Sequence, residues 1–305
     1  MRVTQRMMAN TVAMNISRNA DSLNVLQDQF SSGKRLRKAS DDPASLSRAL
    51  ALRSCKAQNE QYLRNITLAE GWLEASDSAL EHMSNVLSRA RNLALQSASD
   101  TLGDDERETL AVQVEALLRE VEQAGNSTHE GKYLFAGLQV TSAPFDIERS
   151  PVYGGDTGQI TREIDRDVTV AVNTLSSEVL VQVTDSGGTT SSMGVMEGAL
   201  TVLKAMKEQL TSHAAVSSTQ LDQITKCMDG VVELRGSVGA RMNRLDATEQ
   251  AHTDNQVDVA AALSRAEDAD VAEVMTKLMM QQSVYQAALA AGARMIQPSL
   301  LDFLG

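Results

Sequence analysis

Apolar and small residues recur along most of this chain at spacings of three and four, the mark of helices that bury one face. The first stripe runs Ala9, Val12, Ile16, Ala20, Leu23 and Phe30, and stops at Ser31-Ser32-Gly33, where Gly33 suits a helix C-cap. After a basic connector, Lys34 to Lys38, Asp42 is placed to cap a second helix with Pro43 in its first position. That helix carries a regular seam: Leu52, Cys55, Asn59, Tyr62, Ile66, Ala69, Leu73, Ser76, Leu80, Met83, Leu87, Ala90 and Ala94. Three-four alternation over about six heptads predicts coiled-coil packing. A third helix, opened by Asp104 or Asp105, turns Leu110, Val114, Leu117, Val121 and Ala124 inward. Its early acidic residues suit the positive end of the helix dipole, which is the plain reading of that cluster. Beyond residue 194 the pattern returns in Leu203, Met206 and Leu210, then in Ile224, Cys227, Val231, Leu234, Val238 and Leu245. A last helical block holds Leu263, Val271, Val274, Leu278, Tyr285, Ala288 and Met295.

The texture differs from Gly131 to Gly198. Nine of the 18 glycines fall there, and four of the nine aromatic residues lie between Tyr133 and Tyr153. Ile160–Val172 and Val179–Val183 alternate and are β-branched, as strands are, with turns at Gly154-Gly155-Asp156 and Ser186-Gly187-Gly188. So few residues predict a small sheet supported by the helices. The fold expected is mainly α. It is a long antiparallel helical rod, with both terminal amphipathic helices at one end and a small β-rich domain inserted at the far tip. Its segments are a terminal helix and connector over 1–40, rod helices over 41–134, the β-rich domain over 135–192, returning helices over 193–255 and a terminal helix over 256–305.

Charge sharpens this picture. The net charge is −12, which disfavours nonspecific nucleic-acid binding. Residues 1–60 nevertheless hold 10 basic and 5 acidic residues, while residues 246–305 hold 3 and 9. In a hairpin the basic run Lys34, Arg35, Arg37 and Lys38 should face the acidic run Glu267, Asp268 and Asp270, within a subunit or between neighbours. Exposed pairs of this kind contribute only about 0–1 kcal/mol each and would set register. The terminal helices are too weak to stand alone in water, so they are expected to order on assembly. Leu278 to Ala293 is too short and too Gln-rich for a membrane span, and Met1 to Asn10 lacks the features of a secretory signal. Cys55 and Cys227 would lie on the order of 20 Å apart at about 1.5 Å per residue, and are read as free thiols in helical seams.

Chemistry is not evident. His82, His129, His213 and His252 are scattered, and no zinc, phosphate-loop or nucleophile-elbow motif occurs. Thr128-His129-Glu130 reads as a surface loop. Gly236 and Gly239 read as sites of close helix approach. Met275, Met279 and Met280 read equally as core or as a pliable docking surface. No cofactor, metal or catalytic residue is expected.

Ser31-Ser-Gly-Lys-Arg-Leu36 with Ser40-Asp-Asp-Pro-Ala44 resembles the N-terminal signature of the bacterial flagellin superfamily. Gly239-Ala-Arg-Met-Asn-Arg-Leu245 and Ser264-Arg-Ala-Glu-Asp-Ala-Asp-Val-Ala272 resemble its C-terminal one. Within it, the hook-filament junction proteins resemble this chain more than flagellins do. The opening Met1-Arg-Val-Thr-Gln-Arg-Met-Met8, Pro43, Gly131-Lys-Tyr-Leu-Phe-Ala-Gly137 and the ending Leu300-Leu-Asp-Phe-Leu304 carry that likeness. Residues 138–190 match no motif of the family, and the cysteines are unusual in it. The resemblance implies an extracellular structural protein without enzymatic activity, forming a ring between the first hook-associated protein and flagellin. It also implies export by the flagellum's own apparatus, and a cytoplasmic chaperone on the C-terminal helix. The contact residues expected are Ile16, Leu23 and Phe30, the two charged runs, Val271, Val274, Leu278 and Tyr285, and Leu300, Leu301 and Phe303. A short flagellin is the alternative, and an enzyme hidden in the β-rich insert a third reading.

Overall fold

The computed structural model describes residues 5–36, 38, 42–98, 103–148, 153–184 and 190–296. Among these, three helices are followed by six short strands and then by three more helices. The helices are α1 Gln5–Ser32, α2 Pro43–Ser97, α3 Asp104–Gly125, α4 Val195–Thr211, α5 Ser218–Glu267 and α6 Val271–Ile296. The strands are β1 Thr128–His129, β2 Lys132–Tyr133, β3 Thr161–Asp165, β4 Val168–Ala171, β5 Leu180–Thr184 and β6 Thr190–Gly194. The chain divides into two compact units, one of residues 1–58 with 255–305 and the other of residues 59–254.

The second unit holds the core. Ile66, Leu73, Leu80, Met83 and Leu87 of α2 are fully buried, as are Val114 and Val121 of α3, Leu203 and Met206 of α4, and Val231, Leu234, Val238 and Leu245 of α5. The three-four seams read from sequence are thus the buried faces here. Arg235 clamps Asp77 through Nε (2.8 Å) and Nη2 (3.1 Å), joining α5 to α2 at the edge of this core. Cys227 packs in the same core near Gly198, and burial pushes its thiol up to about 12, which keeps it protonated and unreactive. Cys55 is likewise a free thiol, but half-buried.

The strands correct two expectations. They form three separate antiparallel hairpins, β1-β2, β3-β4 and β5-β6, and not one sheet. Nor do the described residues of the insert stand beyond the helix ends. Asn65 Nδ2 of α2 donates to Glu163 O (2.8 Å), and His252 Nε2 of α5 lies 2.8 Å from Ile164 O, so the β3-β4 hairpin lies along the flank of these helices. The side chains of Val195, Val179 and Val181 close over Gly230 of α5. It is the start of α3 and the turn after α4 that come together, where His213 Nδ1 sits 3.8 Å from Asp104 Oδ1. The reason is that a two-stranded hairpin buries too little to stand alone and must lie on an apolar surface. His129, expected in a surface loop, belongs to β1 and meets the Trp72 ring edge-on at 6.1 Å. Gly236 and Gly239, expected at close helix contacts, face open space. Close approach occurs instead at Gly198 and Gly230, where an added Cβ would come within 2.6 and 2.7 Å of valine methyls.

Candidate assembly surface

The first unit is built from the ends of the chain. Gly33 closes α1 in a left-handed conformation (φ 66°), and its N–H donates to Gln29 O at 2.9 Å. Asp42 caps α2 by accepting from the N–H groups of Ala44 (3.2 Å) and Ser45 (3.1 Å), with Pro43 as the first helical residue. Between these caps the connector is pinned. Lys34 bridges Asp268 as a short antiparallel contact, the Arg35 N–H donates to Glu267 O (2.6 Å) and the Ala269 N–H donates to Gly33 O (2.9 Å). Leu36 is buried beside it.

The two charged runs therefore meet within one chain. Lys34 Nζ lies 2.7 Å from Asp268 Oδ1 and 3.4 Å from Glu267 Oε2. Arg53, which charge counting did not single out, grips Glu267 through Nη2–Oε2 (2.8 Å) and Nε–Oε1 (2.6 Å). Burial would raise the Glu267 pKa, but Arg53 and Lys34 outweigh it and hold the carboxyl below its ordinary value. Asp268 is held low by hydrogen bonds from Lys34 and Ser264, and the Lys34 ammonium is raised chiefly by its bond to Asp268. Asp270 stands apart from this cluster. It caps α6, accepting from the N–H groups of Ala272 (2.9 Å) and Glu273 (3.2 Å). Lys38 is exposed, and Arg37 lies outside the described residues.

The terminal helices α1 and α6 pack on each other. Gly292 of α6 admits Val12 and Ile16 of α1, and Gln281 Nε2 reaches Asn19 O and Oδ1 at 3.4 Å. Ile16 and Leu23 are half-buried on the α1 side, as are Leu278 and Tyr285 on α6, while Val274 is buried at 7 % exposure. Most of the stripe chosen from sequence is thus the inner face of the unit. A second set of apolar side chains faces water. On α6 it comprises Val271 (53 % exposed), Met275, Met279 (55 %), Met280 (66 %), Val284 and Leu289. On α1 it comprises Met7, Met14, Val25 and Phe30. Of the residues expected at contacts, only Val271 and Phe30 belong to it. Its signal in the sequence was the methionine cluster Met275, Met279 and Met280, whose two readings the pattern left open. Leu300, Leu301 and Phe303 lie outside the described residues. No described helix is long and apolar enough to cross a membrane, and no group of metal-binding side chains occurs among the described residues.

Comparison with known proteins agrees with this architecture. Residues 3–140 match the bacterial flagellin N-terminal helical region, and residues 221–304 match the bacterial flagellin C-terminal helical region. The flagellar hook-associated protein 3 of Salmonella typhimurium is 25% identical over 302 residues, 94% of this chain and 95% of that protein. A solved flagellar hook-associated protein from Vibrio parahaemolyticus superposes with a TM-score of 0.64 at 22% identity, over 75% of this chain and 100% of that one. The hook-associated protein 3 structure from Legionella pneumophila gives 0.62 at 16% identity, over 71% and 98%. Flagellins match as well, at greater distance.

Proposed function

Because the chain belongs to the bacterial flagellin superfamily, we propose that it forms the ring joining the hook to the flagellar filament. The observation that carries this reading is the second, exposed set of apolar side chains. Two helices at the chain ends, each already packed on the other, leave methionine and valine side chains in water at helical spacing. Large apolar side chains left in water together mark a surface that another protein covers. The occupants proposed are neighbouring copies around the ring, the first hook-associated protein on one side and flagellin on the other. Before export through the flagellum's own apparatus, a cytoplasmic chaperone would cover the exposed set on α6. The protein would then act outside the cell, as a structural adaptor with no reaction to catalyse. Methionine suits such a surface, because its unbranched side chain adapts to more than one partner.

Deleting the gene in its own bacterium tests this. Bare hooks, with unpolymerised flagellin released into the medium, are the expected result. Loss of the filament with no flagellin in the medium would mean that this chain is itself the filament subunit.

A further inference from the structure

Among the described residues, the exposed methionines all lie in one unit. Met7, Met8 and Met14 on α1 and Met275, Met279 and Met280 on α6 range from 40 % exposed at Met8 to 66 % at Met280. In the second unit Met83, Met196 and Met206 are sealed from solvent, and Met193, Met228 and Met242 pack against the core. We propose that the six exposed thioethers are a modification site for peroxide, and that their oxidation to sulfoxides turns the docking surface polar while the fold stays intact.

A thioether sulfur attacks one peroxide oxygen through its lone pair. The S–O bond forms as the O–O bond breaks, and the second oxygen leaves as water with both peroxide protons. Sulfur is oxidised by two electrons, and the peroxide is reduced by two. The oxidant must reach the sulfur, so the reaction follows exposure and singles out these six. Thiols compete for peroxide as thiolates. The Cys227 thiol, pushed up to about 12 by burial, stays protonated, and Cys55 is half-buried.

The contact between α1 and α6 does not depend on these sulfurs. Gly292 admits Val12 and Ile16 there, and Val274 is buried on the α6 side. A sulfoxide oxygen on the open side stays hydrated and leaves that contact as it was. Under a docked partner the same oxygen loses its water, which disfavours burial unless a hydrogen bond replaces it. Met275 and Met279 stand about one helical turn apart, with Met280 next to Met279, so three oxygens would enter one patch. A docked surface covers its own sulfurs, so the unassembled chain is the form open to the oxidant. Leucine would supply a similar apolar surface without this sensitivity.

This inference rests on the docking reading of the exposed set, so the oxidation and the docking are tested apart. The purified full-length chain would be treated with hydrogen peroxide, and oxygen uptake followed by mass spectrometry of its peptides. The six methionines should gain oxygen at least about tenfold faster than Met83, Met196 and Met206, with circular dichroism and the urea midpoint unchanged. Equal rates, or loss of helix content as the six react, would overturn the site. The deletion strain would then receive the wild-type chain, Met275→Leu with Met279→Leu and Met280→Leu, or Met275→Gln with Met279→Gln and Met280→Gln. Glutamine stands in for the sulfoxide, being unbranched and polar. The Leu variant should give filaments at the wild-type number, and the Gln variant about tenfold fewer, as expected when polar groups enter a covered apolar contact. Failure of the wild-type chain to restore filaments would refute the junction reading and leave the peroxide result standing. With wild-type rescue in place, full activity of the Gln variant would overturn the effect of oxidation on docking. Equal loss in the Leu variant would overturn it too, because shape and not polarity would then decide. Where the threefold Gln variant does not fold, Met280→Gln, at the most exposed of the six, takes its place with the same criterion.

Discussion

The α2 helix passes through both units with one sequence grammar and two outcomes. From Ile66 to Ala94 its seam residues are sealed from solvent, while Leu52 and Cys55 of the same seam are only half-buried. The difference is the number of partners. In the second unit the seam belongs to one buried cluster shared with α3, α4, α5 and residues of the β3-β4 and β5-β6 hairpins. In the first unit each helix finds little more than one neighbour, and large side chains such as Met279 and Met280 stay in water. Stability should therefore be unequal, with hydrogen exchange slowest in α2 residues 66–94 and faster throughout α1 and α6. Equal protection in both regions would show that the terminal helices need no partner to be stable.

Core truncation gives the largest effect. Leu80→Ala, at a fully buried site of the second unit, should cost about 2–5 kcal/mol in urea denaturation. A loss no greater than that of a surface change would contradict the sealed seam.

Glu267→Gln tests the first unit in turn. Removing a charged hydrogen-bonding partner should cost about 1.5–3 kcal/mol at neutral pH, read as loss of exchange protection in residues 33–36 and 264–269. The acid dependence has a definite sign. Because the folded-state value of Glu267 is depressed, its contribution is complete above the ordinary carboxyl value of 4.5 and is lost as pH falls through the lower folded value. The deficit of the Gln variant should therefore shrink in acid. Lys34 behaves oppositely: its raised value makes its contribution complete below 10.5, and lost as pH rises past the folded value. A deficit that grows in acid would show that the carboxylate is not what holds the connector.

The helices and their caps were legible in the sequence because local rules govern them. Gly33 ends a stripe, Asp42-Pro43 opens one, and heptad spacing marks the buried seam. The meeting of Lys34 with Glu267 and Asp268 was legible in the opposite charge of the chain ends. What periodicity does not encode is which partner covers a face. Val274 and Val271 are three residues apart in one stripe, yet one is buried and the other open, because α1 covers only part of α6. Arg53 was missed because it lies in a helix, outside any run of charge. The hairpins were misplaced at a tip because strand alternation records that one face is buried, and not against what. Gly236 and Gly230 show the same limit, since six residues separate an open glycine from one pressed by Val195. Gly230→Ala should destabilise by about 1–3 kcal/mol through overpacking. Gly236→Ala, in a helix and with free space, should stabilise by about 0.5–1 kcal/mol. Two losses of similar size would return Gly236 to a packed contact.

The smallest effect on the isolated chain is also the most discriminating. Met279→Ser with Met280→Ser removes apolar side chains that water already reaches, so its stability should change by no more than about 0.5 kcal/mol. The same change removes apolar area from the surface proposed to dock, and filament number in the complemented strain should fall sharply. A surface residue that matters only when a partner is present separates function from folding in this way. If the double change instead destabilised the purified chain as much as Leu80→Ala, the exposed set would be core in solution, and the two units would differ in sequence position but not in kind.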